Sequence, residues 1–237
     1  VEIQKAGFIR LGVLGDWDNP YLTMNYKTEA DIVRALGRIV SNGHMVKGYK
    51  PVYWSVVGGS ALAEAEVEYQ EKESCAIDVE FKIAERDEFL GVFSDLDRKK
   101  VTDSVSVVIW TTTPWTIPAN KALAFNSNIE YSVLEIENLE HFKDKKIVVA
   151  KNLIESITKE CEIKNYKELK TFKGSEFKGT ICSHPFVKMD FEYNVPMLDA
   201  QFVNLEQGTG IVHCAPSHGP DDFNLCLKNN IPSLYTV

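Results

Sequence analysis

From Ala76 onward the sequence turns to a series of short strand patterns, and that series restricts the fold more than any other feature. Ile77, Val79, Phe81 and Ile83 alternate with Asp78, Glu80 and Lys82, which predicts a half-buried strand. Val105-Ser106-Val107-Val108-Ile109 predicts a central strand running to Thr112. Tyr131–Ile136 and Lys146–Ala150 alternate again, and Tyr166–Lys173, Lys178–Ser183 and Met197–Phe202 are further short candidates. Helical spacing is rarer. It occurs at Ile32, Ala35, Leu36, Ile39 and Val40, at Leu153, Ile154, Ile157 and Cys161 within Asn152–Cys161, and over Asp222–Lys228. Many short strands and few helices predict a mainly β fold, a barrel-like core of short strands with peripheral α-helices.

The N-terminal part reads differently. Residues Val1 to Asn25 carry the Gly-rich, aromatic run G-V-L-G-D-W-D-N-P-Y-L-T-M and read as irregular. The helix that follows has Thr28 as expected N-cap, Glu29 and Asp31 in its first turn and Gly43 as its stop. Its apolar stripe is a docking face without chemistry, so residues 1–48 read as a lead-in segment from a neighbouring domain and 49–237 as the main domain. Tyr49–Ser60 predicts a strand running into a glycine turn. In Ala61–Tyr69, Glu64, Glu66 and Glu68 would share one strand face; without histidine nearby that is a solvated face rather than a metal site. The charged segment Glu85–Lys100 reads as a loop or a turn of helix.

Composition removes some functions. A net charge of −8 over 237 residues argues against gripping nucleic acid by bulk electrostatics, though not against reading one end of it in a pocket. No apolar run has membrane length, which predicts a soluble protein with no membrane partner. Five scattered cysteines without C-x-x-C support neither a zinc knuckle nor a disulfide framework and suit a reducing cytoplasm.

Two stretches carry candidate chemistry. Trp110–Asn120 reads W-T-T-T-P-W-T-I-P-A-N, and Pro114 keeps Thr113 extended. Alternation then puts Thr111 and Thr113 on one face and Thr112 on the other, a hydroxyl rim bracketed by Trp110 and Trp115. Such a rim suits a polar ligand beside an aromatic wall; strand threonines and core tryptophans are the plainer reading. Gly208–Phe223 reads G-T-G-I-V-H-C-A-P-S-H-G-P-D-D-F and predicts a short strand, Ile211–Ala215, then a tight loop and a helix. A His213–Cys214 nucleophile pair is disfavoured because adjacent strand residues face opposite sides. A metal would need more ligands than His213, His218 and one Asp. His213 as a core histidine and Asp221 as a helix cap is the structural alternative.

Together, in this order and about a hundred residues apart, the two stretches resemble the editing domain of the isoleucyl-tRNA synthetases. G-D-W-D-N-P-Y-L-T-M and S-A-L-A-E-A-E-V-E-Y extend the resemblance over almost the whole chain. Valyl and leucyl relatives share the Thr-rich run and the acidic loop, whereas T-M-N-Y and A-E-A-E-V-E-Y fit the isoleucyl wording better. Some relatives carry a cysteine pair before S-A-L-A-E-A-E; here the positions read Ser55-Val56-Val57-Gly58-Gly59. The H-I-G-H and K-M-S-K-S signatures of ATP-dependent aminoacylation do not occur. The resemblance therefore implies an excised insertion domain without that activity.

It also implies a substrate and roles: hydrolysis of valine from valyl-tRNA(Ile), with the charged tRNA 3′ end and the rest of the synthetase as partners, no cofactor, no metal, and a cytoplasmic monomer. Asp222 would hold the substrate ammonium, with His213 as base or steric wall and Thr112 as a further catalytic group. Thr111, Thr113, Trp115 and Asn120 would bind substrate. The alternatives are a valyl or leucyl editing domain, or an aminoacyl-adenosine binding module inactive without its parent.

Overall fold

The computed structural model describes residues 1–84, 105–137 and 145–236, so the expectation for Glu85–Lys100 lies outside the described residues. The chain divides into two compact units, Val1–Gly48 and Tyr49–Val237.

The first unit contains two helices rather than one. Helix α1 (Glu2–Arg10) occupies part of the segment read as irregular. Its residues are ordinary helix formers with Glu2 in the first turn and Arg10 in the last, and the glycines that suggested irregularity, Gly12 and Gly15, lie beyond it. Helix α2 (Tyr26–Ser41) is capped by Asn25, whose side chain accepts from Lys27 N at 3.1 Å, so it starts earlier than a Thr28 cap would allow. Gly43, at φ +75°, follows its end. Ile32, Leu36, Ile39 and Val40 remain exposed.

The second unit is mainly β. Strands β1 (Tyr53–Ser55) and β2 (Ser60–Leu62) form a hairpin. Beyond it, Glu64–Glu66 is a 3-10 turn and not part of a strand, so the three glutamates do not line one strand face. Glu66 Oε2 accepts from Ala63 N at 2.8 Å, a local bond that competes with extended pairing.

A five-stranded sheet runs in the order β3 (Ile77–Lys82), β4 (Val105–Thr111), β7 (Lys146–Ala150), β6 (Glu130–Glu137), β8 (Asn165–Lys173). A four-stranded sheet runs β11 (Val212–Cys214), β5 (Ala122–Phe125), β10 (Asn194–Asp199), β9 (Ile181–Ser183). An Ile83–Cys182 bridge joins the sheets past β3, and at the far end β11 lies against β4. Both sheets thus close on one core that includes Phe81, Val107, Ile109, Leu123, Phe125, Tyr131 and Val148. Phe177 packs on Tyr131, Phe172 and Phe125 at 5.0–5.3 Å between ring centres. Each such large side chain contributes about 1.5–3 kcal/mol on burial.

Two strand expectations shift. The strand sought at Met197–Phe202 is β10, because pairing begins earlier: with β9 over Asn194–Pro196 and with β5 over Met197–Asp199. Pro196, which has no N–H, sits at that changeover. The strand sought at Lys178–Ser183 shortens to β9, since Gly174–Phe177 turns as a 3-10 segment before it. Strand β5 has no counterpart in the pattern, because all four of its residues are buried and no alternation marks it. Helices α3 (Ile154–Glu160) and α4 (Pro220–Lys228) are peripheral. Among the described residues no helix is long and apolar enough to cross a membrane.

Candidate functional site

Strand β4 ends at Thr111, and Pro114 opens a 3-10 turn, Pro114–Ala119. Thr111 and Thr113 do lie on one side. The Thr111 hydroxyl accepts from Thr113 N at 3.1 Å and sits 3.2 Å from the Thr113 hydroxyl. Thr111 is buried, so its hydroxyl shapes the turn, while Thr112 and Thr113 are exposed. Thr116, not singled out from the sequence, donates to Thr113 O at 2.8 Å. Trp115 stands 68% exposed on the same turn.

The turn meets His213 from the neighbouring sheet. Asn120 Nδ2 reaches Ala122 O at 2.9 Å and His213 Nδ1 at 2.8 Å. Turned over, the amide would set its oxygen against the Ala122 carbonyl, so the nitrogen must face both acceptors. His213 Nδ1 therefore accepts, and Nε2 carries the proton. That proton points to Thr116 Oγ1 at 2.9 Å, an oxygen whose own hydrogen is committed to Thr113 O. From His213 outward, Nε2–H, the Thr116 hydroxyl and both Asn120 amide protons each have an acceptor. Burial pushes the imidazole down to about 4, with His184 and His218 nearby acting the same way, so the ring is neutral at physiological pH. Asn120 Oδ1 is buried with no partner among the described residues.

Strand β11 is held in place from behind. Gly208 and Gly210 take φ +76° and +77°, and a Cβ on Gly210 would stand 2.4 Å from that of Ala150. Such an approach admits only glycine. Tyr131 donates to Gly210 O at 2.8 Å, and Ala150 N donates to Thr209 O at 2.8 Å. His213 then pairs opposite Leu123 on β5.

Asp222 is attached to the end of the same strand: its Oδ2 accepts from Ala215 N at 2.8 Å. Helix α4 starts at Pro220 with Gly219 as N-cap, so Asp221 lies in the first turn and is not the cap, and the helix starts two residues before Asp222. Burial pushes the Asp222 carboxyl up to about 6, although the Ala215 N–H and the Cys214 thiol pull it down. Asp221 beside it adds a small push upward. A half-buried carboxylate that takes only the Ala215 N–H and the weakly donating Cys214 thiol keeps acceptor capacity for a cation.

A strand-to-turn hydroxyl rim, a locked neutral histidine and a half-buried carboxylate thus sit on one curled, mainly β core. The crystal structure of the P. knowlesi cytosolic leucyl-tRNA synthetase editing domain matches with a TM-score of 0.54, at 14% identity over 65% of this chain and 60% of that one. The crystal structure of GlLeuRS-CP1 matches at 0.52, with 16% identity over 66% and 65% of the two chains. At these identities the likeness is one of fold.

In sequence, residues 1–216 match the class I tRNA synthetases (I, L, M and V), and the chain belongs to that family. It is 54% identical over its whole length to 25% of the isoleucine–tRNA ligase of Pelagibacter ubique (strain HTCC1062). Against the isoleucine–tRNA ligase of Saccharophagus degradans (strain 2-40) it is 50% identical, again over its whole length, covering 24% of that protein. The chain thus spans about a quarter of the length of these relatives.

Proposed function

We propose that this chain is a hydrolytic editing domain that removes valine from valyl-tRNA(Ile). Residues 49–237 form the editing unit, and residues 1–48 border the rest of a synthetase in the cytoplasm. The observation that carries this reading is His213, fixed by Thr116 and Asn120 on the threonine-rich turn, with Asp222 bonded to Ala215 N just past the end of its strand.

The isoleucyl enzyme is itself the familiar case in which one methylene in an apolar pocket gives only about 1–3 kcal/mol of discrimination. A second site that admits the smaller ester supplies the rest. In this chain Asp222 would receive the substrate ammonium. The exposed Thr112 and Thr113 hydroxyls would orient the ester and the attacking water, while Asn120, fully buried, would act from behind by holding the His213 ring. Water attacks the carbonyl carbon, the ester C–O bond breaks, and the ribose oxygen leaves as a hydroxyl with a proton from that water. No protein nucleophile is needed, because positioning and electrostatics act on an already activated ester.

The geometry favours His213 as wall over base. Both ring nitrogens are engaged within the protein, and a group titrating near 4 is a poor proton acceptor at pH 7. The test is ester loss from tRNA(Ile) charged with valine and, separately, with isoleucine. Preferential loss of the valyl ester supports the reading; equal rates with and without protein overturn it.

A further inference from the structure

The threonine-rich turn is held from its far side by a cluster to which the sequence assigns no chemistry. His184, 1% exposed, reaches Ile117 O with Nε2 at 2.9 Å. Its Nδ1 accepts from Phe186 N at 3.1 Å, so Nε2 carries the proton and donates. The ring stacks on Phe191 at 4.8 Å and 14°, with Tyr193 at 5.2 Å and Phe186 at 5.5 Å. Tyr193 donates its hydroxyl to Asn120 O at 2.6 Å, and Lys121 Nζ lies 3.9 Å over the Tyr193 ring. On the opposite side, Lys121 N donates to Cys214 O at 2.9 Å. The backbone around Asn120 is thus gripped from both sides, by the aromatic cluster and by β11.

We propose that His184 and Tyr193 are positioning residues for editing: by holding Ile117 O and Asn120 O they set where the Asn120 amide meets His213, and so where the wall stands. This rests on the function proposed above. The bonds fall on the two carbonyls next to the residues that aim the amide, where a packing role alone would need only the rings. Neither side chain is placed to touch substrate; both act through Asn120 and His213.

The test uses Tyr193→Phe and His184→Phe, which keep the rings and remove the donors, with His184→Gln restoring a donor to Ile117 O. The readout is the ratio of valyl to isoleucyl ester hydrolysis on tRNA(Ile). Partial unfolding lowers both rates and leaves their ratio unchanged. A displacement of reacting groups by a fraction of an ångström to 1 Å can cost up to about a hundredfold, so the ratio is expected to fall roughly tenfold in both Phe variants, with His184→Gln within about threefold of the parent. A ratio unchanged in both Phe variants overturns the proposal. A second arm needs no activity: 15N NMR of the His213 ring in each folded variant. Shifts of Nδ1 or Nε2 support positioning, and superimposable spectra overturn it. A parent chain that hydrolyses neither ester refutes the function proposed above, while the NMR arm still decides the role of His184 and Tyr193.

Discussion

The two sides of the site treat their ionisable groups in opposite ways. On the turn side His213 has both nitrogens committed, to Thr116 and to Asn120, and no proton is left to move. On the helix side the Asp222 carboxylate takes the Ala215 N–H and the weak Cys214 thiol, fewer donors than it can accept. Burial pushes both toward their neutral forms, the imidazole down to about 4 and the carboxyl up to about 6. One group is finished by the fold, and the other is left to be finished by a ligand. A saturated side chain can shape a cavity, whereas an undersaturated carboxylate can recognise a cation.

Breaking the open side should have the largest effect. Asp222→Ala should lower valyl-tRNA(Ile) deacylation by about a hundredfold or more, since it removes a charge-assisted contact to the substrate ammonium. Melting temperature should change little, because removing a carboxylate that burial disfavours offsets the loss of the acceptor for the buried Ala215 N–H. Retained deacylation at the parent rate would remove Asp222 from the site.

Breaking the saturated side should alter selectivity more than rate. His213→Ala should keep valyl ester hydrolysis within about tenfold while isoleucyl ester hydrolysis rises, the signature of a lost wall. Loss of valyl hydrolysis with no gain on isoleucine would make the ring a base after all. The variant should also melt lower, having lost the partner of Thr116 and Asn120.

The smallest effect, and the sharpest for the comparison, lies in acid. Folded His213 titrates near 4 against an ordinary 6.5, so between those values the unfolded chain binds more protons and acid destabilises the fold. Folded Asp222 titrates near 6 against an ordinary 3.8, so over nearly the same window the folded chain binds more protons and acid stabilises it. The two contributions oppose each other, each of a few kcal/mol at most. Asp222→Asn should therefore make melting temperature fall more steeply from pH 6.5 to pH 4.5 than it does in the parent. Parallel profiles for parent and variant would show that burial does not hold these two groups apart.

How much of this was legible in the sequence follows from the reach of each interaction. Strand β3 shows because Asp78, Glu80 and Lys82 alternate with apolar side chains, whereas β4, β6 and β7, buried on most or all of their residues, show through their β-branched residues. Strand β5, Ala-Leu-Ala-Phe, is buried throughout, short and without a β-branched residue, so nothing marks it. Thr111, Thr113 and Pro114 were readable because neighbours in the chain fix each other's geometry. Thr116 was not: its partner is His213, 97 positions away. His184 and Tyr193 were invisible for the same reason, since a lone histidine and a lone tyrosine carry no spacing that predicts which carbonyl they will meet. The motif resemblance supplied Asp222 and Asn120, but not the tautomer of His213, which only the converging donors and acceptors define. Asn25 displaced Thr28 as the helix cap through a bond spanning two residues, a contest between equally plausible local caps.

The 97-residue separation between Thr116 and His213 also has a consequence for biosynthesis. The turn leaves the ribosome long before the strand that completes it. Until Val212–Cys214 docks beside Ala122–Phe125, Asn120 and Thr116 lack the ring they are built to hold. Loop closure over such a span is among the slower events in folding a β-rich domain. A nascent chain of this kind can hold folded hairpins while still lacking the complete turn-and-ring network. Its assembly would therefore be a late marker that the β core has closed.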